Sequence, residues 1–382
     1  MRIQADWAKH GPAQVVCALL TDAGFQAWFV GGCVRNALIG AQVTDLDITT
    51  DALPETVVTL AKAAGMRAIP TGIDHGTVTI LAESVPFEVT TLRRDVATDG
   101  RHATVAFTDD LADDARRRDF TMNALYATPD GTVIDPLGGL PDLMARRIRF
   151  VGDPDARITE DYLRILRFFR FQAWYGDPSD GIDAEGLAAC AAHLDGLDQL
   201  SRERVGAEMR KLLSAPDPAP AMASLRSCGA LLRILPGAGT GLLTVLIHVE
   251  QTADLTPDWV RRLAALGGQD VAQALRLSNA EAAKLMRLRD GMENSMTAGA
   301  LGYHFGAAEA QDILALRSAS FEQELDPAKA ELARFGATRT CPVKAADLMP
   351  ALQGPALGQA LKAIETRWIA SDFTLSKSAL LG

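Results

Sequence analysis

Two aspartates separated by one residue are the first residues whose spacing suggests chemistry. Polar and apolar residues alternate from Asp45 to Thr49, which predicts a half-buried strand. Side chains two residues apart on a strand project from the same face, so Asp45 and Asp47 would lie side by side. Their mutual repulsion disfavours ionising both unless a cation neutralises them, and Mg²⁺ prefers such oxygen ligands. Alone the pair is weak evidence, because a polar surface strand is the commoner explanation.

A glycine pair lies just before the two aspartates. Residues 28–30 predict a short strand and residues 34–39 a helix, with Gly31-Gly32 at the turn between them. Glycines allow backbone N–H groups to approach a phosphate closely, and a helix N-terminus favours an anion. Arg35, one turn into this helix, can add a charge-assisted contact to a triphosphate. A glycine turn followed, thirteen residues after Gly32, by the aspartate pair is far more specific than either feature alone.

Composition limits the other functions open to the chain. It has 382 residues, 48% of them hydrophobic, and no stretch of 18 or more residues is continuously apolar. The five cysteines are far apart and form no CxxC, and the six histidines show no ligand spacing, which argues against structural zinc and a disulfide framework. Since the N-terminus has no secretory pattern, we predict a cytoplasmic protein without membrane association, and no obligate protein partner is evident.

The charge distribution leaves a local nucleic-acid contact open. A net charge of −10 argues against a generally basic coat. Arginines nevertheless cluster between residues 93 and 170. The clusters are Arg93-Arg94, Arg116-Arg117-Arg118, Arg146-Arg147 with Arg149, and Arg164, Arg167 and Arg170. Each is either a solvated surface face or a binding site, and the charges alone do not decide between them.

Secondary-structure signals divide the chain into a mixed part and a helical part. Up to about residue 140, helical spacing at residues 15–20 alternates with strand signals such as those at residues 77–81 and 87–92. Beyond about residue 155 amphipathic helical stretches continue almost to the C-terminus, beginning with a helix predicted over residues 158–174. The predicted fold class is α+β: an N-terminal mixed β-sheet head followed by an elongated, all-helical neck, body and tail.

Further motifs resemble a known family. Residues 117–124 read RRDFTMNA, which resembles the RRDFTxNA motif of class II tRNA nucleotidyltransferases, the CCA-adding enzymes, and of their bacterial poly(A) polymerase relatives. Residues 135–142, which include Asp135-Pro136, Gly138-Gly139 and Asp142, resemble the next motif, and residues 160–164 resemble the EDxxR motif. With the glycine turn and the aspartate pair, these motifs follow the order found in this branch of the DNA polymerase β-type nucleotidyltransferase superfamily.

The resemblance implies a nucleotide-selecting pair. Asp161 and Arg164 are three residues apart on a predicted helix and would share a face. An aspartate accepts from an exocyclic amine and an arginine donates to ring acceptors, the pattern that cytosine and adenine present. Uracil and guanine place a carbonyl where the amine would be. The alternative is an ordinary ion pair on the helix surface.

The remaining predicted nucleotide-binding residues surround this pair. The resemblance implies that Asp119 accepts from the ribose 2′-hydroxyl, that Arg118 supports the nucleotide and that Arg167 reaches phosphates. Asn123 would order the local backbone of the site. Gly32 and Arg35 complete the set. Asn36 stands where the family commonly has aspartate, which puts a local hydrogen bond in doubt.

A third carboxylate is a candidate metal ligand. Glu88 lies on a predicted strand at a position resembling that of the family's third acidic residue. An acidic strand residue paired with Arg93 or Arg94 explains it equally well. The implied cofactor is Mg²⁺, bound by Asp45 and Asp47 and, in the first interpretation, by Glu88 as well.

Two segments favour CCA addition over polyadenylation. Residues 72–79 resemble the form found in CCA-adding enzymes, and the basic GRRF-like segment usual in poly(A) polymerases is missing there. Residues 95–105 resemble the flexible loop that CCA-adding enzymes need for the final A step, although an ordinary mobile loop explains them too. Near the C-terminus, the segment from Leu348 onward, which includes residues 354–358 and 368–371, resembles the C-terminal helical segment of bacterial CCA enzymes. Its glycine-rich turn either contacts tRNA phosphates or simply connects two helices.

The predicted function is therefore CCA tRNA nucleotidyl transfer. The implied partners are CTP, ATP and the acceptor and TΨC arms of tRNA. The alternatives are a poly(A) polymerase and, in a different class, a catalytically silent tRNA-binding protein. The predicted domains are a catalytic head at residues 1–142, a neck with the nucleotide-selecting helix at 143–215, a body at 216–280 and a tRNA-binding tail at 281–382.

Overall fold

A computed structural model of the chain describes residues 1–8, 10–99 and 102–382. It contains two compact units: residues 1–212 with 220–234, and residues 213–219 with 235–382. The predicted α+β class is confirmed, because within the described ranges a mixed sheet in the N-terminal part is followed by helices only. The division into four domains stays a prediction.

The strands all lie in the first unit, within residues 27–134. They are β1 (Ala27–Val30), β2 (Asp47–Thr50), β3 (Arg67–Gly72), β4 (Thr77–Ala82), β5 (Val85–Thr91), β6 (Arg93–Asp99), β7 (His102–Phe107), β8 (Tyr126–Ala127) and β9 (Val133–Ile134).

The helices of the first unit are mostly short. They are α1 (Pro12–Thr21), α2 (Gly32–Leu38), α3 (Pro54–Ala63), α4 (Leu111–Arg116), α5 (Leu140–Met144), α6 (Pro154–Glu160), α7 (Leu163–Tyr175), α8 (Ala184–Ala192), α9 (Arg202–Leu213), α10 (Ala219–Ser227) and α11 (Ala230–Ile234). Short 3-10 helices occur at Asp6–Ala8, Ile73–His75, Thr121–Asn123 and Leu194–Gln199.

A seven-stranded sheet in the order β3-β4-β5-β2-β1-β8-β9 organises the first unit. Only β2 and β5 pair in parallel; the other neighbours are antiparallel. Ile48 of β2 lies between Phe29 and Val89, and all three side chains are buried. Because side chains alternate along a strand, Asp47 and its neighbour Glu88 lie on the opposite face of the sheet. The hydrophobic face thus fixes where the acidic residues project.

Strand β2 begins later than the sequence predicts. It starts at Asp47, and Asp45 lies in the preceding segment, which is neither helix nor strand. The argument that the two aspartates share one strand face was therefore wrong for Asp45. Its position depends on the path of the preceding segment, whose fold local alternation does not fix.

Residues 95–105, predicted to be a loop, belong largely to a two-stranded sheet. Strands β6 and β7 pair antiparallel, with Arg93 opposite Phe107 and Asp99 opposite His102. The prediction of a loop was wrong for these strands. Gly100 and Arg101, at the centre of the predicted loop, lie outside the described residues.

The helix predicted over residues 158–174 is two helices. α6 ends at Glu160, and Asp161 has extended backbone angles, φ −156° and ψ 103°. α7 then begins at Leu163. Apolar spacing continues through the break because both helices bury a face, so periodicity alone does not reveal it.

The motif at residues 135–142 packs against the 3-10 helix Thr121–Asn123 and hydrogen-bonds to it. The Asp135 carboxylate accepts hydrogen bonds from the backbone N–H groups of Gly139 and Leu140, at 2.8 and 2.9 Å. Thr121 donates its hydroxyl to Asp142, at 2.9 Å. A Cβ at Gly139 would lie 2.2 Å from the carbonyl oxygen of Thr121. Only glycine allows these two segments to approach so closely.

The second unit is built from helices. They are α12 (Gly241–Thr252), α13 (Trp259–Leu266), α14 (Val271–Ala274), α15 (Asn279–Glu293), α16 (Ala298–Ser320), α17 (Pro327–Ala337), α18 (Ala345–Leu348), α19 (Gly354–Ala370) and α20 (Lys377–Leu381). No helix among the described residues is long and apolar enough to span a membrane.

A buried ion network and a close helix crossing hold the second unit together. Glu250 pairs with both Arg261 and Arg262, and Arg261 also pairs with Asp312 at 2.7 Å. All four residues are buried, so the loss of any one partner leaves an uncompensated charge. At the crossing of α16 and α17, a Cβ at Gly302 would lie 1.9 Å from the carbonyl oxygen of Ala333.

We expect Gly139→Ala to destabilise the first unit. Its Cβ meets a backbone carbonyl that must move, and overpacking of this kind costs about 1–3 kcal/mol. Urea denaturation measures the free energy of unfolding. Gly358→Ala is the control, since that glycine lies within α19 and a Cβ there meets nothing within 4 Å. Equal stability of the two variants would contradict the assigned role of Gly139.

Candidate active site

The glycine turn joins β1 to α2 as predicted. Gly31 has φ 70°, a left-handed conformation that favours glycine, and α2 begins at Gly32. A Cβ at Gly31 would lie 3.3 Å from Nη1 of Arg118. The turn therefore passes directly beside an arginine of the RRDFTMNA motif.

The three predicted metal-ligating carboxylates lie around one cavity of about 610 Å³. Asp45, Asp47 and Glu88 all line it. Asp45 accepts the hydroxyl of Thr44 at 3.0 Å, and Asp47 is the register neighbour of Glu88. The structure thus brings Glu88 to the aspartate pair, although it lies 41 residues beyond Asp47 in sequence.

Electrostatics at these carboxylates favour a bound cation. Burial, the Glu88 carboxylate and the Asp45 carboxylate raise the pKa of Asp47, while Arg118 opposes the rise. A cation at this position would relieve the repulsion. The donors are all oxygens, which fits a hard divalent metal. Among the described residues, no group of three His, Cys, Asp or Glu side chains is close enough to hold a metal unaided. Nucleotide phosphates and water would have to complete the coordination.

Arg118 is fixed by two partners that the sequence did not single out. Its Nη2 donates to Asp114 at 2.9 Å, and its Nε lies 3.2 Å from the Tyr126 hydroxyl, which itself donates to Asp114 at 2.7 Å. The Asp114 side chain is fully buried. Burial alone would raise the pKa of Asp114, but Arg118 and Arg117 lower it to about 2. Asp114 is thus a permanent anion that orients Arg118 beside the glycine turn.

Arg35 is buried, and side chains of the protein occupy most of its guanidinium donors. Its guanidinium donates to the side-chain oxygens of Asn36 and Asn123 and, at 2.8 Å, to the Tyr175 hydroxyl. It also stacks over the Tyr175 ring at 3.9 Å. These four hydrogen bonds leave at most one N–H for a ligand. The hydrogen bond in doubt at Asn36 is present, with the amide oxygen as acceptor.

Asp119 and Asn123 connect Arg35 to Arg167. Asn123 donates from Nδ2 to Asp119 at 2.9 Å, and Arg167 donates from Nε to Asp119 at 2.8 Å. Asp119 also accepts from the backbone N–H of Phe120. Burial alone would raise the pKa of Asp119, but Arg167 and Asn123 lower it to about 2. With these donors in place, the predicted ribose contact of Asp119 stays a prediction.

Asp161 and Arg164 are close in the chain but have different partners. Asp161 accepts from the backbone N–H of Leu163 at 3.1 Å and from Nη2 of Arg204 at 2.6 Å. Arg164, in the first turn of α7, pairs with Glu160 and donates to the carbonyl of Arg157 at 2.6 Å. The prediction that both lie on one helix was wrong for Asp161, which lies between α6 and α7. Their roles in base selection stay predictions.

The residues missed by sequence reasoning act as supports. Asp114, Tyr126, Tyr175 and Arg204 each hold a predicted site residue in place. Asp114 was detectable in principle, because it lies four residues before Arg118, the spacing of a helical ion pair. Arg204 gave no local signal, since it lies 43 residues beyond Asp161.

The poly A polymerase head domain matches residues 27–149, which include the glycine turn, the carboxylates and the Arg118 network. The match to this head domain concerns residues 27–149, about a third of the chain. A second match, to the probable RNA and SrmB-binding site of polymerase A, covers residues 181–240. The head domain thus contains the predicted metal ligands, whereas Asp161, Arg164 and Arg167 lie between the two matched segments.

Several relatives that match part of this chain are CCA-adding enzymes. Human CCA tRNA nucleotidyltransferase 1, mitochondrial, is 45% identical over 184 residues, 48% of this chain and 42% of the human protein. A CCA-adding enzyme of Levilactobacillus brevis is 39% identical over 251 residues, 64% of this chain and 61% of the relative. The alignments therefore cover about two fifths to three fifths of these relatives.

Solved structures extend the likeness along the chain. The crystal structure of the Bacillus stearothermophilus CCA-adding enzyme in complex with CTP is 28% identical, covers 94% of this chain and 93% of that one, and has a TM-score of 0.78. The Thermotoga maritima CCA-adding enzyme complexed with tRNA is 17% identical with a TM-score of 0.67, a likeness of fold alone. These folds contain both the head domain and the helices that follow.

The charge of Asp119 should appear in the pH dependence of stability. Since its pKa is about 2 in the folded chain, below the unfolded value, its stabilising effect is complete above about pH 5 and is lost progressively as the pH falls toward 2. Asp119→Asn removes this contribution. Between pH 5 and 3 the wild type should lose about 1 kcal/mol more unfolding free energy than Asp119→Asn. Urea titrations at each pH measure the difference, with Asp22→Asn, an exposed substitution, as the control. Parallel pH profiles for wild type and Asp119→Asn would contradict the ion pair.

Proposed function

We propose that this chain is a CCA tRNA nucleotidyltransferase, adding C, C and A to the 3′ end of tRNA from CTP and ATP without a nucleic-acid template. The observation that carries this proposal is the position of Asp45, Asp47 and Glu88 around one cavity in a head domain of the matching family. The names of the relatives support tRNA as the acceptor. The Bacillus stearothermophilus complex supports CTP as a substrate.

We further propose Mg²⁺ as the cofactor, held by Asp45 and Asp47 together with nucleotide phosphates and water, with the Glu88 carboxylate lining the same cavity. Bound there, Mg²⁺ would favour ionisation of the RNA 3′-hydroxyl and neutralise charge on the phosphates. In the reaction the 3′-hydroxyl attacks the α-phosphate in line and pyrophosphate leaves. A cytoplasmic location stays the prediction of the sequence.

The chain's own contribution is positioning and charge. Asp114 holds Arg118 beside the glycine turn, where its guanidinium can contact the triphosphate. Arg167 is held by Asp119 within the same network as Arg35. Because these groups are already fixed in the fold, little reorganisation accompanies the reaction, and positioning supplies much of the rate.

Asp161 and Arg164 are proposed to select the base. Arg204 and the Leu163 N–H hold the Asp161 carboxylate, which keeps it an acceptor for an exocyclic amine. Arg164 would exchange part of its contact with Glu160 for a ring acceptor of the base. Cytosine and adenine offer an amine to the Asp161 carboxylate and a ring acceptor to Arg164. Uracil and guanine instead place a carbonyl oxygen next to the carboxylate, which repels it.

One incorporation assay separates CCA addition from its alternatives. Purified protein is incubated with tRNA lacking CCA, Mg²⁺ and single or mixed nucleoside triphosphates. We expect addition that stops after C, C and A. Long A tracts would indicate a poly(A) polymerase, and no incorporation beside an active control enzyme would indicate a silent tRNA-binding protein.

Loss of either aspartate should abolish chemistry and spare RNA binding. Asp45→Asn and Asp47→Asn remove one negative charge each without changing side-chain size, so we expect incorporation to fall by at least about a thousandfold. Filter binding measures tRNA affinity in parallel. Glu55→Gln, an exposed acid at the start of α3, serves as the control. If tRNA binding disappears with incorporation, the aspartates act on structure.

Nucleotide choice should depend on Arg164. In Arg164→Ala the ring acceptor of the base loses its donor, and we expect the preference for CTP over UTP to fall about tenfold or more. The measurement is kcat/KM for each nucleotide. Arg226→Ala, at an exposed position of α10, is the matched control. An unchanged preference in Arg164→Ala would remove it from base selection.

A further inference from the structure

A tyrosine next to the proposed base-selecting carboxylate packs on a glycine that is distant in sequence. Asp161 lies between α6 and α7 with extended backbone angles, and Tyr162 follows it with φ −59° and ψ −16°. A Cβ at Gly196 would lie 1.9 Å from Cδ1 of the Tyr162 ring and 2.2 Å from its Cγ and Cε1. The ring therefore occupies the space that a side chain at residue 196 would need.

The backbone of Gly196 does not itself require glycine. Its φ lies outside the left-handed region, so an alanine could adopt the same backbone without strain. The three nearest atoms that its Cβ would meet all belong to Tyr162. Since carbon atoms in contact lie about 3.5 Å apart, the ring or the glycine would have to move by more than about 1 Å. The missing side chain at residue 196 therefore determines where the Tyr162 ring can lie.

The segment that contains this glycine has further contacts of its own. Gly196 is buried in the 3-10 helix Leu194–Gln199. Arg233 of α11 pairs with Asp195 at 2.8 Å and donates from Nε to Asp198 at 2.9 Å. The tyrosine ring thus rests on a surface that is held by the rest of the first unit.

The Tyr162 contact acts on Asp161 through the backbone. The Asp161 carboxylate accepts from the N–H of Leu163 and from Arg204, but the residue itself belongs to no helix. Residues with extended angles can change φ and ψ over a broad range at little cost. Because Tyr162 is the next residue in the chain, its ring packed on Gly196 restricts that freedom. The direction of the carboxylate therefore depends on this contact.

We propose that Gly196 is a positioning residue for base selection: by packing against the Tyr162 ring, it sets the direction in which the Asp161 carboxylate faces the exocyclic amine of the base. The inference deepens the proposed function and rests on it, since Asp161 is proposed there to accept from that amine. Gly196 lies outside the head domain, in the second matched segment, residues 181–240. Nucleotide choice then depends on a residue outside the set proposed to contact the nucleotide.

The experiment compares nucleotide choice in the wild type and in Gly196→Ala. The whole chain is incubated with tRNA lacking CCA and Mg²⁺, and kcat/KM is measured for CTP and for UTP. We expect the preference for CTP over UTP to fall about tenfold in Gly196→Ala, because a displaced carboxylate recognises the amine less well. A purely structural role would instead lower kcat/KM for both nucleotides by the same factor and leave their ratio unchanged.

Variants of Tyr162 test the same contact from its other side. The contacting atoms are ring carbons, so Tyr162→Phe should keep the preference, whereas Tyr162→Leu should lower it about tenfold. Gly196→Ala added to Tyr162→Leu should cause no further fall, since no ring then meets the new Cβ. Gly291→Ala is the matched control. Its Cβ would lie 2.5 Å from Cδ1 of Ile313 in the second unit, so it overpacks a core and should keep the preference.

An unchanged preference in Gly196→Ala would overturn the inference. An equal fall in Gly291→Ala would overturn it as well, because lost stability would then be the cause. If Gly196→Ala does not fold, Tyr162→Leu and Tyr162→Phe decide, and equal preference in these two variants would contradict the positioning role.

Failure of the proposed function gives a different result. Asp161→Ala would then keep the wild-type preference, or the wild type would incorporate neither nucleotide, and either result also removes the basis of this inference. If Asp161→Ala loses the preference while Gly196→Ala keeps it, only the positioning role of Gly196 fails.

Discussion

A chain of buried ion pairs and hydrogen bonds is the constraint on which the site depends. It runs from Arg35 through Asn123 and Asp119 to Arg167, which lies near Glu208. These residues belong to α2, the 3-10 helix Thr121–Asn123, the RRDFTMNA motif, α7 and α9. Removing any one member leaves a buried charge or donor without its partner, which costs far more than an exposed contact. The network therefore fixes how the sheet and the helices around it meet.

The carboxylates depend on a different force. Their strands are aligned by burial of Phe29, Ile48 and Val89 on the opposite face, and that burial sets the register that places Glu88 beside Asp47. Repulsion among the acidic side chains destabilises the fold, and the burial of apolar side chains on the opposite face offsets it. Burial of Asp47 and this mutual repulsion together raise the pKa of Asp47.

Support residues inside and outside the motifs hold the candidate site in place. Asp114 orients Arg118, Arg204 holds Asp161, and Gly139 lets its loop reach Thr121. None of the three supplies a proposed metal ligand or base contact. Each restricts a side chain or a backbone segment of the candidate site, and a site of this kind depends on such precise placement.

The sequence by itself determined the class of fold, the order of the motifs and the residue types at the site. Glycine spacing, acidic pairs and alternating hydrophobicity are local patterns, so they predicted β1, α2 and the turn between them correctly. Only the tertiary structure decided the rest: that Asp45 precedes its strand, that Asp161 lies between two helices, and that Arg35 is occupied by Asn36, Asn123 and Tyr175. The physical reason is that local patterns do not fix where a strand or helix begins and ends. They also do not show which groups, near or distant in sequence, packing will bring together to share hydrogen bonds.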